Sequence, residues 1–231
     1  MNHKTACALA LLAGMSVFPA LNAQETVAQG GTMQQTTIQA YKAAEYPNLS
    51  GIPGFSGQLT ANHLKLYQGY VNNTNTLTVK LAALLAEGKE KTPEYAELKR
   101  RFGWEFNGMR LHELYFGNLG GTGLPRQDSH AYRGLGEAFG SFEDWKKDFA
   151  VTGLMRGIGW VVLYRDNTGG RLFNAWVNEH DGGHLAGCTP LLVMDVFEHA
   201  YLTDYQLDRA KYIESFLNAV DWEAVEKRYD K

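Results

Sequence analysis

Asp195-Val196-Phe197-Glu198-His199-Ala200-Tyr201 sets a carboxylate and an imidazole four residues apart, directly after the apolar run Pro190 to Met194. At such a junction both side chains can reach one space, and the two donor types suit a divalent or trivalent cation. By itself D-x-x-x-H is a weak pattern that arises by chance and often forms an ordinary surface hydrogen bond. His63 and His112 add to it, because each falls on the apolar side of a long helical pattern and points inward. One inward histidine alone is most simply a core side chain satisfied by one hydrogen bond. Two on paired helices, with Asp195 and His199 in a second layer, make three imidazoles and one carboxylate carrying one negative charge. That set suits iron or manganese better than a thiolate-preferring ion. An open coordination position would leave room for a solvent molecule whose acidity the metal controls.

The elements that must position these residues are legible in the apolar spacing. From Phe55, residues Leu59, His63, Leu66, Tyr67, Tyr70 and Val71 recur at three and four, and Leu77 to Leu85 continue the pattern until Gly88. A second helical stretch runs from about Pro93 to Leu119, with Phe102, Phe106, Met109, His112, Tyr115 and Phe116 on one side. Two long helices and a short charged loop predict an antiparallel hairpin. Gly120-Gly121-Thr122-Gly123-Leu124-Pro125 interrupts everything and marks the domain boundary. Beyond it, Ser141-Phe142-Glu143-Asp144 resembles a capping box opening a helix through about Leu154. Trp160–Tyr164 and Leu172–Val177 flank a turn-type Asp166-Asn167-Thr168-Gly169-Gly170 and predict a β-hairpin; Pro190–Met194 supplies a third run, and Tyr201–Val220 is again helical. The expected class is α+β: an N-terminal antiparallel α-hairpin over residues 51–122, then a C-terminal α/β domain over 123–231 with a small three-stranded antiparallel sheet.

Composition bounds the remainder. The 231 residues are 45% hydrophobic and 20% charged, with 25 acidic against 22 basic side chains. This is globular usage, it excludes a disordered scaffold, and it lacks the basic excess that nucleic-acid binding wants. No internal apolar run reaches membrane-spanning length. The start has the order of a secretory signal peptide over residues 1–23: a polar, positive Asn2-His3-Lys4, an apolar Thr5–Phe18, and a small-residue end at Ala23. Residues 24–50 are polar without a period and read as an extended leader. Export to a bacterial periplasm or beyond is the expectation. Cleavage would leave Cys188 as the lone thiol, packed as a small hydrophobe.

The segment Asp195–Tyr201 closely resembles the D-x-W-E-H-A-Y signature of iron/manganese superoxide dismutases. Tyr70-Val71-Asn72-Asn73, Gly157-x-Gly159-Trp160 and Arg209-x-x-Tyr212-Ile213 follow in that family's order, so the resemblance spans residues 55–230. It implies one Fe or Mn ion per subunit on His63, His112, Asp195 and His199, with solvent as fifth ligand, and disproportionation of superoxide to dioxygen and hydrogen peroxide. It further implies that Tyr70 is the gateway tyrosine and Trp160 lines the metal pocket. Glu198 would reach the partner subunit's His199 in a homodimer, with a tetramer as the larger alternative. The family needs a Gln or His beside the bound solvent. One source lies a helical turn before the second ligand, where this chain has Gly108; the other lies in the loop after the sheet, where it has His180. The resemblance therefore assigns His180 that role and Gly108 the clearing of space; a solvated loop residue is the plain alternative for His180. His184 and His130 read as structural or exposed.

Departures from the family pattern are specific. The stretch between the first ligand and Tyr70 is one residue short, so His63 competes with Asn62 for the ligand position, and His63 is preferred. Leu66 and Tyr67 stand where the family usually has histidines, Phe197 where it has Trp, and Val162 where an aromatic is common. Two rival readings follow: an exported metal-binding homologue without dismutase activity, and a structural helical protein with core histidines. A small anionic substrate needs only a locally positive approach, so net charge does not oppose it.

Overall fold

A computed structural model describes residues 39–231. The signal-type residues 1–23 and the leader as far as residue 38 lie outside the described residues. Among the described residues no helix is long and apolar enough to cross a membrane.

Helix α1 runs Gly57–Ala86, opened by Ser56, whose side chain accepts from the Leu59 N–H. Its buried stripe is Leu59, His63, Tyr67, Val71, Thr74, Leu77, Leu81 and Leu84, the repeat of a helix with one covered face. Gly88, at φ 69°, ends the helix in a conformation that favours glycine. Helix α2, Pro93–Phe116, starts on the Thr92 cap with proline at its first position and packs against α1. It stops at Phe116 rather than Leu119, because the Asn118 side chain donates to the Tyr115 carbonyl and leaves the helix.

The end of the expected leader is not featureless. Tyr46 packs on Phe116 with ring centroids 5.1 Å apart, and Leu49 and the following Ile52 are buried in the core. The Asn48 amide donates to the carbonyls of Phe116 and Leu119 at 3.0 and 2.9 Å, satisfying the end of α2.

After the Gly120–Pro125 segment comes α3, His130–Phe139, opened by Ser129, in a region whose composition reads as linker. Helix α4, Phe142–Gly153, begins on the predicted Ser141 cap, which accepts from the Asp144 N–H at 3.0 Å. Strands β1 (Gly159–Asp166), β2 (Leu172–Asn178) and β3 (Cys188–Asp195) form an antiparallel sheet in the order β2-β1-β3. In register Trp160 lies opposite both Val177 and Asp195. The expected helix over Tyr201–Val220 is broken: α5 is Leu202–Tyr205, Gln206 takes φ 51°, and α6, Arg209–Asn218, restarts on the Asp208 cap. A further helix, α7 (Trp222–Tyr229), closes the described chain.

The core joins these layers. Trp145 and Phe149 of α4, Phe216 of α6 and Trp222 of α7 pack together beneath the sheet. Asn118 ties α2 to β3 by exchanging hydrogen bonds with Val193 at 3.1 and 3.2 Å. That pairing fixes the end of α2, and with it His112, against the strand that carries Asp195.

Candidate metal centre

Four elements bring the ligand candidates together. His63 comes from α1, His112 from α2, Asp195 from the last residue of β3, and His199 from a short 3₁₀ turn, Glu198–Ala200. His63 is 3% exposed, whereas Asn62 faces outward and accepts from Gln58 at 2.9 Å. The shortened segment therefore places His63, not Asn62, at the centre, and His63 and Tyr70 sit two turns apart on one continuous helix.

The geometry converges on one oxygen. Asp195 Oδ2 lies 3.1 Å from His63 Nε2, 3.0 Å from His199 Nε2 and 3.6 Å from His112 Nε2. One ligand atom from each of the four residues lies within 4.8 Å of the others. Asp195 Oδ1 is engaged elsewhere, accepting from the Phe197 N–H at 2.8 Å, and Tyr212 donates to the Asp195 carbonyl at 2.6 Å. The acid is thus clamped with Oδ2 turned to the three imidazoles.

His112 tests whether this set fits a cation. Its Nδ1 donates to the Gly108 carbonyl at 2.5 Å, which puts the lone pair on Nε2. That Nε2 is buried without any hydrogen-bond partner and faces the Asp195 carboxylate. Two acceptors opposed in a dry site are costly, and a cation between them makes the contact favourable. Burial holds His63 below its ordinary pKa and His112 well below it, keeping the ring nitrogens available. Burial alone would push Asp195 toward the neutral acid, but the interactions with His199 and His63 outweigh it and hold the carboxyl well below the usual range. The donor set is neutral imidazole plus carboxylate, which Fe and Mn accept.

Beside this centre, His180 is fully buried between two partners. Trp160 Nε1–H donates to His180 Nδ1 at 3.1 Å, and His180 Nε2 lies 2.7 Å from the Tyr70 hydroxyl. An indole can only donate, so Nδ1 accepts and the neutral ring carries its proton on Nε2, donating to Tyr70. Burial depresses His180 to about 4 and raises the Tyr70 phenol, so both stay neutral at ordinary pH. Phe197 stacks on His180 and His199 with centroids 4.7 and 5.1 Å apart, filling the wall where the family usually has Trp. A Cβ at Gly108 would lie 2.6 Å from Tyr70 Cδ1, so the glycine accommodates the Tyr70 ring.

Several contributors have little sequence signal. Trp104 presents its ring to His180 at 4.9 Å, and buried Glu105 joins Arg101 of its own helix to Asn73 of α1. His184 is exposed, as expected, but hydrogen-bonds the His180 carbonyl at 2.9 Å. Its spacing of four from His180 is the available clue. His130, Glu226 and Asp230 also cluster, at the surface. There the Glu226 carboxylate accepts from the His130 and Ala131 N–H groups and so caps α3. Glu198 faces solvent in the single chain.

Fold and centre together define an α+β protein with a buried His₃Asp site for one metal ion. The chain belongs to the iron/manganese superoxide dismutase family. The family description "Iron/manganese superoxide dismutases, C-terminal domain" matches residues 127–228. Among similar proteins, "Superoxide dismutase [Mn] 2" of Haloferax volcanii is 33% identical over 173 residues, covering 75% of this chain and 85% of that one. "Superoxide dismutase [Fe]" of Aquifex pyrophilus is 33% identical over 187 residues, covering 78% and 86%. "Superoxide dismutase [Fe]" of Cupriavidus metallidurans is 34% identical over 183 residues, covering 77% and 90%.

Proposed function

We propose that this protein is a superoxide dismutase, using one Fe or Mn ion to convert two superoxide ions and two protons into dioxygen and hydrogen peroxide. The observation that carries the reading is the partnerless Nε2 of His112, aimed with His63 and His199 at one oxygen of Asp195. His63, His112, Asp195 and His199 would hold the ion. When bound, Fe or Mn supplies the one-electron couple that oxidises one superoxide and reduces the next. Tyr70 holds a proton at its hydroxyl: because His180 Nε2–H donates to the phenol oxygen, the phenol hydrogen is free to turn toward the site. Trp160 and Phe197 exclude water and fix the His180 ring.

The test is elemental analysis of the purified protein, followed by a superoxide assay after reconstitution with each metal. Activity with Fe or Mn, lost on chelation, is the expected result. Full occupancy by either metal without activity would instead identify a metal-binding homologue that is not a dismutase.

Two further properties belong to the same reading. The protein acts as at least a homodimer through Glu198 and His199, supported by the exposure of Glu198 beside Leu154 and Met155, each 49% exposed. It works in the periplasm or outside the cell, supported by the signal-type order of residues 1–23. Light scattering and N-terminal sequencing of the mature protein test these points.

A further inference from the structure

We propose that His184 is a positioning residue that holds His180 in place through the His180 main-chain carbonyl. His180 sits on the loop between β2 and β3, yet its ring must meet Trp160 at 3.1 Å and Tyr70 at 2.7 Å. A loop residue keeps such distances only when its backbone is fastened. His184 provides the fastening. Its Nε2 lies 2.9 Å from the His180 carbonyl, which can only accept, so the proton is on Nε2 and Nδ1 carries a lone pair. The Tyr164 hydroxyl, 2.9 Å away, donates to that Nδ1. Burial pushes the Tyr164 phenol up to about 12, so it remains a donor. Tyr164 belongs to β1, the central strand, paired with Phe173 of β2 and, beside a register shift, with Pro190 of β3, and the chain of donors runs from that strand to the backbone of His180.

The rest of the loop cooperates. Asn178 and Gly182 exchange backbone hydrogen bonds at 2.6 and 3.1 Å, and the Glu179 N–H donates to the Ile158 carbonyl at 3.0 Å. Gly183, at φ 96°, passes so close to the Trp176 carbonyl that a Cβ would lie 2.8 Å from it. This turn brings residue 184 back over residue 180, and a histidine at 184 spans the remaining gap to both partners.

The inference rests on the role given to His180 above, and its test separates the two. In the metal-free protein, hydrogen–deuterium exchange of the Trp160 indole N–H reports its bond to His180. His184→Ala is expected to speed that exchange by about tenfold, the scale of one lost hydrogen bond. After metal loading, the same variant is expected to lower kcat several-fold at unchanged metal content. His184→Gln, whose amide N–H reaches the same carbonyl, restores both readouts. Tyr164→Phe, which keeps the ring and the strand, gives a smaller effect that is not additive with His184→Ala. Unchanged Trp160 exchange in His184→Ala, or His184→Gln as impaired as the alanine variant, overturns the proposal. His180→Ala with full activity would instead remove the role of His180 while leaving the exchange result intact.

Discussion

The Tyr70 ring occupies the space that a side chain at position 108 would need: a Cβ there would lie 2.6 to 3.0 Å from three of its ring carbons. One residue therefore serves two tasks on α2: the Gly108 carbonyl accepts from His112 Nδ1, and its bare Cα seats the phenol ring that meets His180. Glycine inside a helix weakens it by about 1 kcal/mol relative to alanine, and the site explains why it is tolerated here.

Gly108→Ala should therefore separate stability from activity. The gain in helix propensity and the overpacking against Tyr70, about 1–3 kcal/mol, oppose each other, so the melting temperature changes little. Displacement of the phenol should cut dismutase activity by roughly tenfold, in line with a misplaced proton donor. Activity equal to wild type at matched metal content would show that the Tyr70 position is unimportant.

Metal binding should stabilise the protein by linkage, because the unfolded chain lacks the site. At free metal roughly 1,000-fold above its dissociation constant the gain is about 4 kcal/mol, visible as a higher melting temperature. His112→Gln removes the partnerless nitrogen and should abolish most of that shift. Calorimetry with and without chelator reads both effects, and an equal shift in the variant would exclude His112 as a ligand.

The metal-free protein should lose stability as pH falls. His180 has a folded pKa of about 4 against 6.5 for an unperturbed histidine, so between these values the unfolded chain takes up the proton first. Its contribution is fully present above pH 6.5 and disappears progressively down to about 4. The depressed His63 and His112 act in the same direction. Urea midpoints measured across this range should fall less steeply in His180→Gln than in wild type.

Arg228 provides a test remote from the ligands. Its guanidinium donates to the carbonyls of Leu191 and Leu114 and to the Asn118 side chain, at 2.8 to 3.1 Å. Burial lowers it to about 10, yet it stays cationic at neutral pH. Arg228→Met takes a donor from the Leu191 and Leu114 carbonyls, while Asn118 Oδ1 keeps the Val193 N–H, and should cost about 2–4 kcal/mol, since each buried unpaired group costs about 1–3. Because Asn118 also holds Val193, metal affinity should weaken too. Thermal denaturation and a metal titration check the pair of effects.

The long helices of the hairpin are readable in the sequence because a covered face repeats every three or four residues. Helix α3 is not: it spans ten residues, and Gly134 and Gly136 weaken its propensity. Its signals are the Ser129 cap and the buried Ala131 and Leu135, and Gly134 is needed there because the Tyr229 hydroxyl would clash with a Cβ. The break at Gln206 is hidden because a left-handed glutamine has no local sign.

By itself the order of residues determined the α+β class, the three strands, and the histidines and aspartate that meet at the centre. These are local or periodic properties, written into spacing. Tertiary structure decided which nitrogen of His112 faces Asp195, which nitrogen of His180 carries the proton, and why residue 108 lacks a side chain. Each depends on partners far apart in the chain, such as Tyr70, Gly108, Trp160 and His180, whose hydrogen bonds exist only after the helices dock on the sheet.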